Sequence, residues 1–116
     1  MAATSNESCS LIVEKAINII GGKWAFLVIA HLKDGPLRFN QLKRKISAIS
    51  TQSLTVVLKY LEQNGLVIRE VFPTVPVTVE YSLTEKGADF VRILVEIYNW
   101  GVKWDILKST VTDTVK

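Results

Sequence analysis

The chain is poor in the residues that most catalytic and metal-binding chemistry needs. Its 116 residues include one cysteine, Cys9, and one histidine, His31. A single cysteine excludes an intramolecular disulfide framework and a Cys-rich zinc site. A single histidine excludes a His–His metal pair and an H-E-x-x-H helix. His31 falls within an apolar run from Phe26 to Leu32 and lacks the partner groups of a catalytic set, so it reads as a packed or surface helix residue. The phosphate-binding patterns G-x-x-x-x-G-K-S/T and G-x-G-x-x-G are missing, as is the nucleophile pattern G-x-S-x-G. No enzyme activity, metal or cofactor is expected. The apolar run near residues 24–32 is far shorter than the ~20 residues of a membrane span. No basic stretch leading into an apolar run and cleavage site opens the chain, so a cytoplasmic protein with no membrane partner is expected.

What is present describes one globular domain. The chain has 48% hydrophobic and 22% charged residues, with six glycines and three prolines, a composition neither disordered nor fibrous. A chain of this length buries a real core without disulfides or a structural metal. Residues 1–8 are expected as a mobile arm, 9–107 as the domain and 108–116 as a tail.

The net charge is only +3, but its distribution is uneven. Residues 36–72 hold six cations (Arg38, Lys43, Arg44, Lys45, Lys59, Arg69) against two acids (Glu62, Glu70), and no acid occurs between Asp34 and Glu62. The segments on either side are neutral or slightly acidic. A solvated face usually mixes signs, so the asymmetry points to an anionic partner.

Hydrophobic spacing organises the chain into five helices and a hairpin. Leu11, Ile12, Ala16, Ile19 and Ile20 recur at helical intervals and predict a first helix over about residues 9–20. Gly21-Gly22 interrupts it. A second helix, Trp24 to about Lys33, is apolar on most sides and so central, and Asp34-Gly35-Pro36 stops it. Leu37-Arg38-Phe39 is short and extended. Asn40 is the expected cap of a third helix over about 41–46, with Lys43, Arg44 and Lys45 mostly outward. Ser50 caps a fourth helix that runs to about Asn64, and Gly65 follows as its left-handed terminator. Leu54, Val57, Leu58 and Leu61 form its apolar stripe, while Gln52, Ser53, Thr55, Val56 and Lys59 lie off it. Two strands, about 66–72 and 77–83, flank a tip bounded by Pro73 and Pro76. Thr84 caps a last helix to about Leu107 that is apolar nearly all round, with Trp100 and Trp104 one turn apart. Such a surface needs a partner, and a second copy of the chain is the simplest one.

The fold class is therefore mainly α with a small β-hairpin. Two helices joined by a tight turn and followed by a hairpin form a winged helix-turn-helix. The longer helix, ~21 Å, fits the ~12 Å wide major groove of double-stranded DNA. Its start presents Ser50, Thr51, Gln52, Ser53 and Thr55 to base edges or phosphates. Arg38, Lys43, Arg44, Lys45 and Lys59 are candidate phosphate contacts, which position a protein without specifying sequence. Gln52 is the candidate base reader, because its amide pairs bidentately with adenine. Winged helices also serve as protein-interaction modules. Charge and element order together favour nucleic acid.

The residues also match a family. Cys9, Ile20-Gly21-Gly22-Lys23-Trp24, the run from Asp34 to Leu42, Ile49-Ser50, Leu54-Thr55, Leu58, the run from Leu61 to Val67, the run from Val75 to Thr84, Gly87 and Trp100 resemble the HxlR-type transcriptional regulators, relatives of the MarR regulators. The likeness covers about residues 9–104. It implies a homodimer that docks through its first and last helices, with Leu11, Ile12, Ile97, Trp100 and Trp104 at the interface. It implies a DNA operator with two-fold symmetry. It also gives Cys9 a role: in several members a cysteine here senses oxidants or electrophiles, chemistry that a thiolate at a helix N-terminus favours. The other reading of Cys9 is a small residue buried in the dimer. The chain departs from the family pattern at three places. Ser10 stands where many members have proline. Thr51-Gln52-Ser53 stands where Pro-Lys is common. Val77-Thr78 stands in the wing where arginine is frequent, which leaves Thr74, Thr78 or backbone groups to touch phosphates, with Thr78 the candidate DNA contact.

Overall fold

The computed structural model describes residues 6–20 and 22–108. Helix α1 spans Asn6–Ile20, α2 Lys23–Leu32, α3 Phe39–Lys45, α4 Thr51–Gln63 and α5 Glu85–Lys103. Strands β1 (Leu37–Arg38), β2 (Val67–Phe72) and β3 (Thr78–Leu83) form one antiparallel sheet in the order β1-β3-β2.

The core sits between α2, α3, α4 and the sheet. Helix α2 is its centre, with Ala25, Val28, Ile29 and Leu32 buried. Leu42 and Ile46 close over it, and Ile49 fills the turn. Helix α4 buries Leu54, Leu58 and Leu61, the spacing of one helical face. Each fully buried leucine contributes about 1.5–3 kcal/mol. Leu66 and Val67 carry the core into the sheet.

Caps set the element boundaries. The Ser50 hydroxyl accepts from the Ser53 amide at 3.0 Å and starts α4. Gly65 leaves α4 at φ 76°, a left-handed turn that costs glycine little. Thr84 starts α5 by accepting from the Gly87 amide at 3.0 Å. The Thr84 amide in turn donates to the Leu66 carbonyl at 3.1 Å, which ties the start of α5 to the start of β2.

Four boundaries differ from the sequence reading. Helix α1 begins at Asn6 rather than Cys9, so residues 6–8 belong to it and not to an arm; residues 1–5 and 109–116 lie outside the described residues. Helix α3 is capped at Arg38, whose amide donates to the Gln41 side chain at 2.8 Å, so Asn40 is inside the helix rather than its cap. The extended segment before α3 is a strand: Leu37 pairs with Tyr81 and Arg38 with Glu80, which makes the hairpin a three-stranded sheet. Helix α5 stops at Lys103 rather than running to Leu107; the chain turns at Trp104-Asp105, with Asp105 at φ 50°, and residues 106–108 are again helical.

The terminal helices are the least covered. On α1, Leu11, Ile12, Val13 and Ile17 are exposed, and Ile19 packs on the core. Leu11, Ile12 and Ala16, whose spacing predicts the helix, are uncovered within one chain. On α5, Phe90, Val91 and Leu94 pack on the core, whereas Ile97, Trp100 and Trp104 are more than half exposed. No described helix is long and apolar enough to cross a membrane.

Candidate nucleic-acid interface

Helices α3 and α4 are joined by residues 46–50, whose Ile46 and Ile49 are buried. Two apolar anchors in a five-residue turn fix how the helices meet, and Ser47 and Ala48 between them face solvent. Opposite the leucine stripe, α4 exposes Thr51, Gln52, Thr55, Val56 and Lys59. Gln52, Val56 and Lys59 follow one another at helical spacing, so they form one ridge.

Hydrogen bonding sorts the small polar residues by what they can still offer. Ser50 accepts its capping bond and keeps its own hydroxyl hydrogen for an outside acceptor. Thr55 donates its hydroxyl to the Thr51 carbonyl at 2.9 Å, so outward it offers lone pairs and a methyl group. Gln52 is exposed, its side chain makes no hydrogen bond among the described residues, and its amide is free to present donor and acceptor together. It borders a shallow groove with Asn18, Trp24, Val56 and Tyr60, where the end of α1, the start of α2 and the flank of α4 meet.

The cations separate as well. Successive helix residues are about 100° apart, so Lys43, Arg44 and Lys45 point three ways. Arg44 and Lys45 are exposed and Lys43 is half-buried; Lys45 lines a cleft with His31, Lys33, Asp34 and Leu37. Lys59 is exposed on α4 beside Gln52 and Val56. Among the described residues none of Lys43, Arg44, Lys45 and Lys59 makes an ion pair; the two ion pairs found there join Lys33 to Asp34 and Arg92 to Asp89. Arg38 is placed differently. It lies directly across from Glu80 on β3, and Glu80 in turn faces Glu70 on β2. Directly opposed residues share a sheet face with Cβ atoms about 4.5–5.5 Å apart, so nearby carboxylates offset the Arg38 charge.

The wing is apolar at its tip. Val75 is fully exposed and Val77 largely so. Thr74 donates its hydroxyl to the Pro76 carbonyl at 2.6 Å, and its oxygen lies 3.1 Å from the Thr78 hydroxyl. With the Thr74 hydrogen used, Thr78 must be the donor of that pair. Both hydroxyl hydrogens are spent inside the turn, so Thr78 has none left for a phosphate.

This arrangement matches a known family over most of its length. A model of the HxlR-like helix-turn-helix family matches residues 19–108. The chain belongs to that family. An uncharacterised HTH-type transcriptional regulator of Methanothermobacter thermautotrophicus is 52% identical over 89 residues, 77% of this chain and 68% of the relative. Among solved structures, the redox regulator HypR in its reduced form superposes with a TM-score of 0.77 at 42% identity, over 84% of this chain and 97% of HypR. The reduced form of the transcriptional regulator YodB from Bacillus subtilis gives 0.72 at 42% identity, over 76% of this chain and 86% of YodB. The HxlR-like chain is thus a winged helix-turn-helix transcription regulator in fold and family.

Sequence patterning misses two features of this HxlR-like domain. Val56 lies off the apolar stripe and carries no role there, yet its place one turn after Gln52 puts it on the exposed ridge. Val13 and Ile17 extend the bare apolar surface of α1; their spacing of four is the available signal.

Proposed function

We propose that the protein is a homodimeric transcription regulator that binds a two-fold DNA operator, with α4 in the major groove of each half-site. The observation that carries this reading is the unpaired cationic and polar surface of α3 and α4, with Gln52 free at its centre. Lys43, Arg44, Lys45 and Lys59 supply phosphate contacts, and Ser50 can donate to a phosphate from the helix start. Thr51, Gln52, Ser53 and Thr55 stand at the end of the helix that reads base edges. Arg38 and Thr78 are weaker contacts, the first because Glu80 opposes it and the second because its hydrogen is used.

The bare apolar surfaces of α1 and α5 support the homodimer, with Leu11, Ile12, Ile97, Trp100 and Trp104 at its centre. Two copies then present two recognition helices with half-sites about one DNA turn, ~34 Å, apart. HypR is a redox regulator, and Cys9 is exposed in the first turns of α1, which supports a response to oxidants through that thiol. A soluble cytoplasmic location fits this work.

Selection of bound duplexes from a random library tests the reading. The expected result is an inverted repeat, retained less as salt rises because counterions are released on binding. A protein that retains no duplex at low salt would instead be a protein-interaction module. Diamide is expected to change the affinity of the native protein for the selected duplex but not that of Cys9→Ser; equal responses would leave Cys9 a packing residue.

A further inference from the structure

We infer that Val56 is a specificity residue that packs on the 5-methyl group of a thymine in the major groove, within about two base pairs of the base met by Gln52. This inference rests on the DNA-binding reading above. Val56 is 62% exposed and is the one large apolar side chain among the exposed residues of α4. An isolated exposed valine needs no explanation by itself. Its surroundings supply one. It lies one helical turn, about 6 Å, beyond Gln52 on the same ridge, which corresponds to roughly two base-pair steps of ~3.4 Å. Around it lie the cations of α3 and Lys59 of α4, with no acid between Asp34 and Glu62, and these would bring the ridge against DNA.

Thr55 adds a second, independent observation. Its hydroxyl is turned back onto the Thr51 carbonyl, so beyond Gln52 this side of α4 offers no free hydrogen-bond donor before the Lys59 ammonium. Adenine, guanine and cytosine each present only hydrogen-bonding groups in the major groove, and thymine alone presents a methyl group there. A surface made of a valine beside a hydroxyl-committed threonine suits that methyl group best.

The test uses the duplex selected from the random library. Each thymine of one half-site is replaced in turn by deoxyuridine, which removes only the 5-methyl group, and affinity is measured for the native protein and for Val56→Ala. Alanine is a strong helix former at an exposed site, so the variant keeps α4, which circular dichroism checks. The expected result is one thymine whose replacement weakens native binding about 4-fold, the value of one buried methyl group. The same replacement should have no effect on Val56→Ala, which already binds the thymine duplex about as weakly. Native binding indifferent to every deoxyuridine overturns the inference, as does a methyl effect that persists undiminished in Val56→Ala. A protein that selects no duplex overturns the inference together with the reading beneath it, so the two failures are distinct.

Discussion

The hydroxyl of Tyr60 donates a 2.6 Å hydrogen bond to the backbone carbonyl of Asn18. Asn18 lies in the last turn of α1, where carbonyls have no partner within the helix. The bond therefore satisfies an orphan acceptor and joins the helix that carries Cys9 to α4. Tyr60→Phe should keep the fold and lose about 1 kcal/mol of stability, read from urea unfolding. If the Cys9 response passes through α1, the variant should also show a smaller change in DNA affinity on diamide treatment. Unchanged stability would mean that water replaces the bond at no cost.

The Ser50 cap predicts an ordering of variants. Ser50→Ala removes the acceptor for the Ser53 amide and should cost about 1 kcal/mol, whereas Ser50→Gly should cost only a few tenths. The order is read from thermal or denaturant midpoints. Glycine as the worse of the two would show that Ser50 matters through some other interaction.

Gly87 sets helix propensity against packing. In an exposed helix, Gly→Ala stabilises by about 1 kcal/mol. Here an added Cβ would overlap the Leu66 carbonyl oxygen, backbone that the Thr84 amide already holds. Overpacking of this kind costs about 1–3 kcal/mol. Gly87→Ala should therefore lower the melting temperature, and a rise would show that β2 and α5 separate more easily than their hydrogen bonds suggest.

The apolar surface of α5 predicts an assembly. Trp100 is exposed on the face that Trp104 extends beyond the helix end. Trp100→Glu should give a species of monomer mass by light scattering. A retained dimer mass would place the interface elsewhere.

The parts legible in the sequence are those fixed by local chemistry. Ser50, Thr84 and Gly65 mark helix ends through bonds and dihedrals that span a few residues, and each does so in the structure. The leucine stripe of α4 is similarly local. Strand β1 is not legible as a sheet member, because two residues carry no period and its partner lies more than 40 residues away. The end of α5 is hidden because the apolar pattern continues past the turn at Trp104-Asp105. The start of α3 differs because the Gln41 side chain, not Asn40, provides the cap. At the candidate interface, the charge excess is visible in the sequence but its geometry is not. Only the sheet register shows Glu80 opposite Arg38, and only the hydrogen bonds show that Thr55 and Thr78 have no hydrogen to give.

The central claim is that α4 reads sequence while neighbouring cations hold phosphate. The most direct measurement compares Gln52→Ala and Lys43→Ala on the selected duplex and on random duplexes, across a range of salt. Gln52→Ala should lose affinity for the selected duplex alone, by about 1–3 kcal/mol, with its salt slope unchanged. Lys43→Ala should weaken both duplexes alike and make the slope shallower by about 1 for each phosphate it no longer neutralises. Equal losses for the two variants on both duplexes would contradict the account.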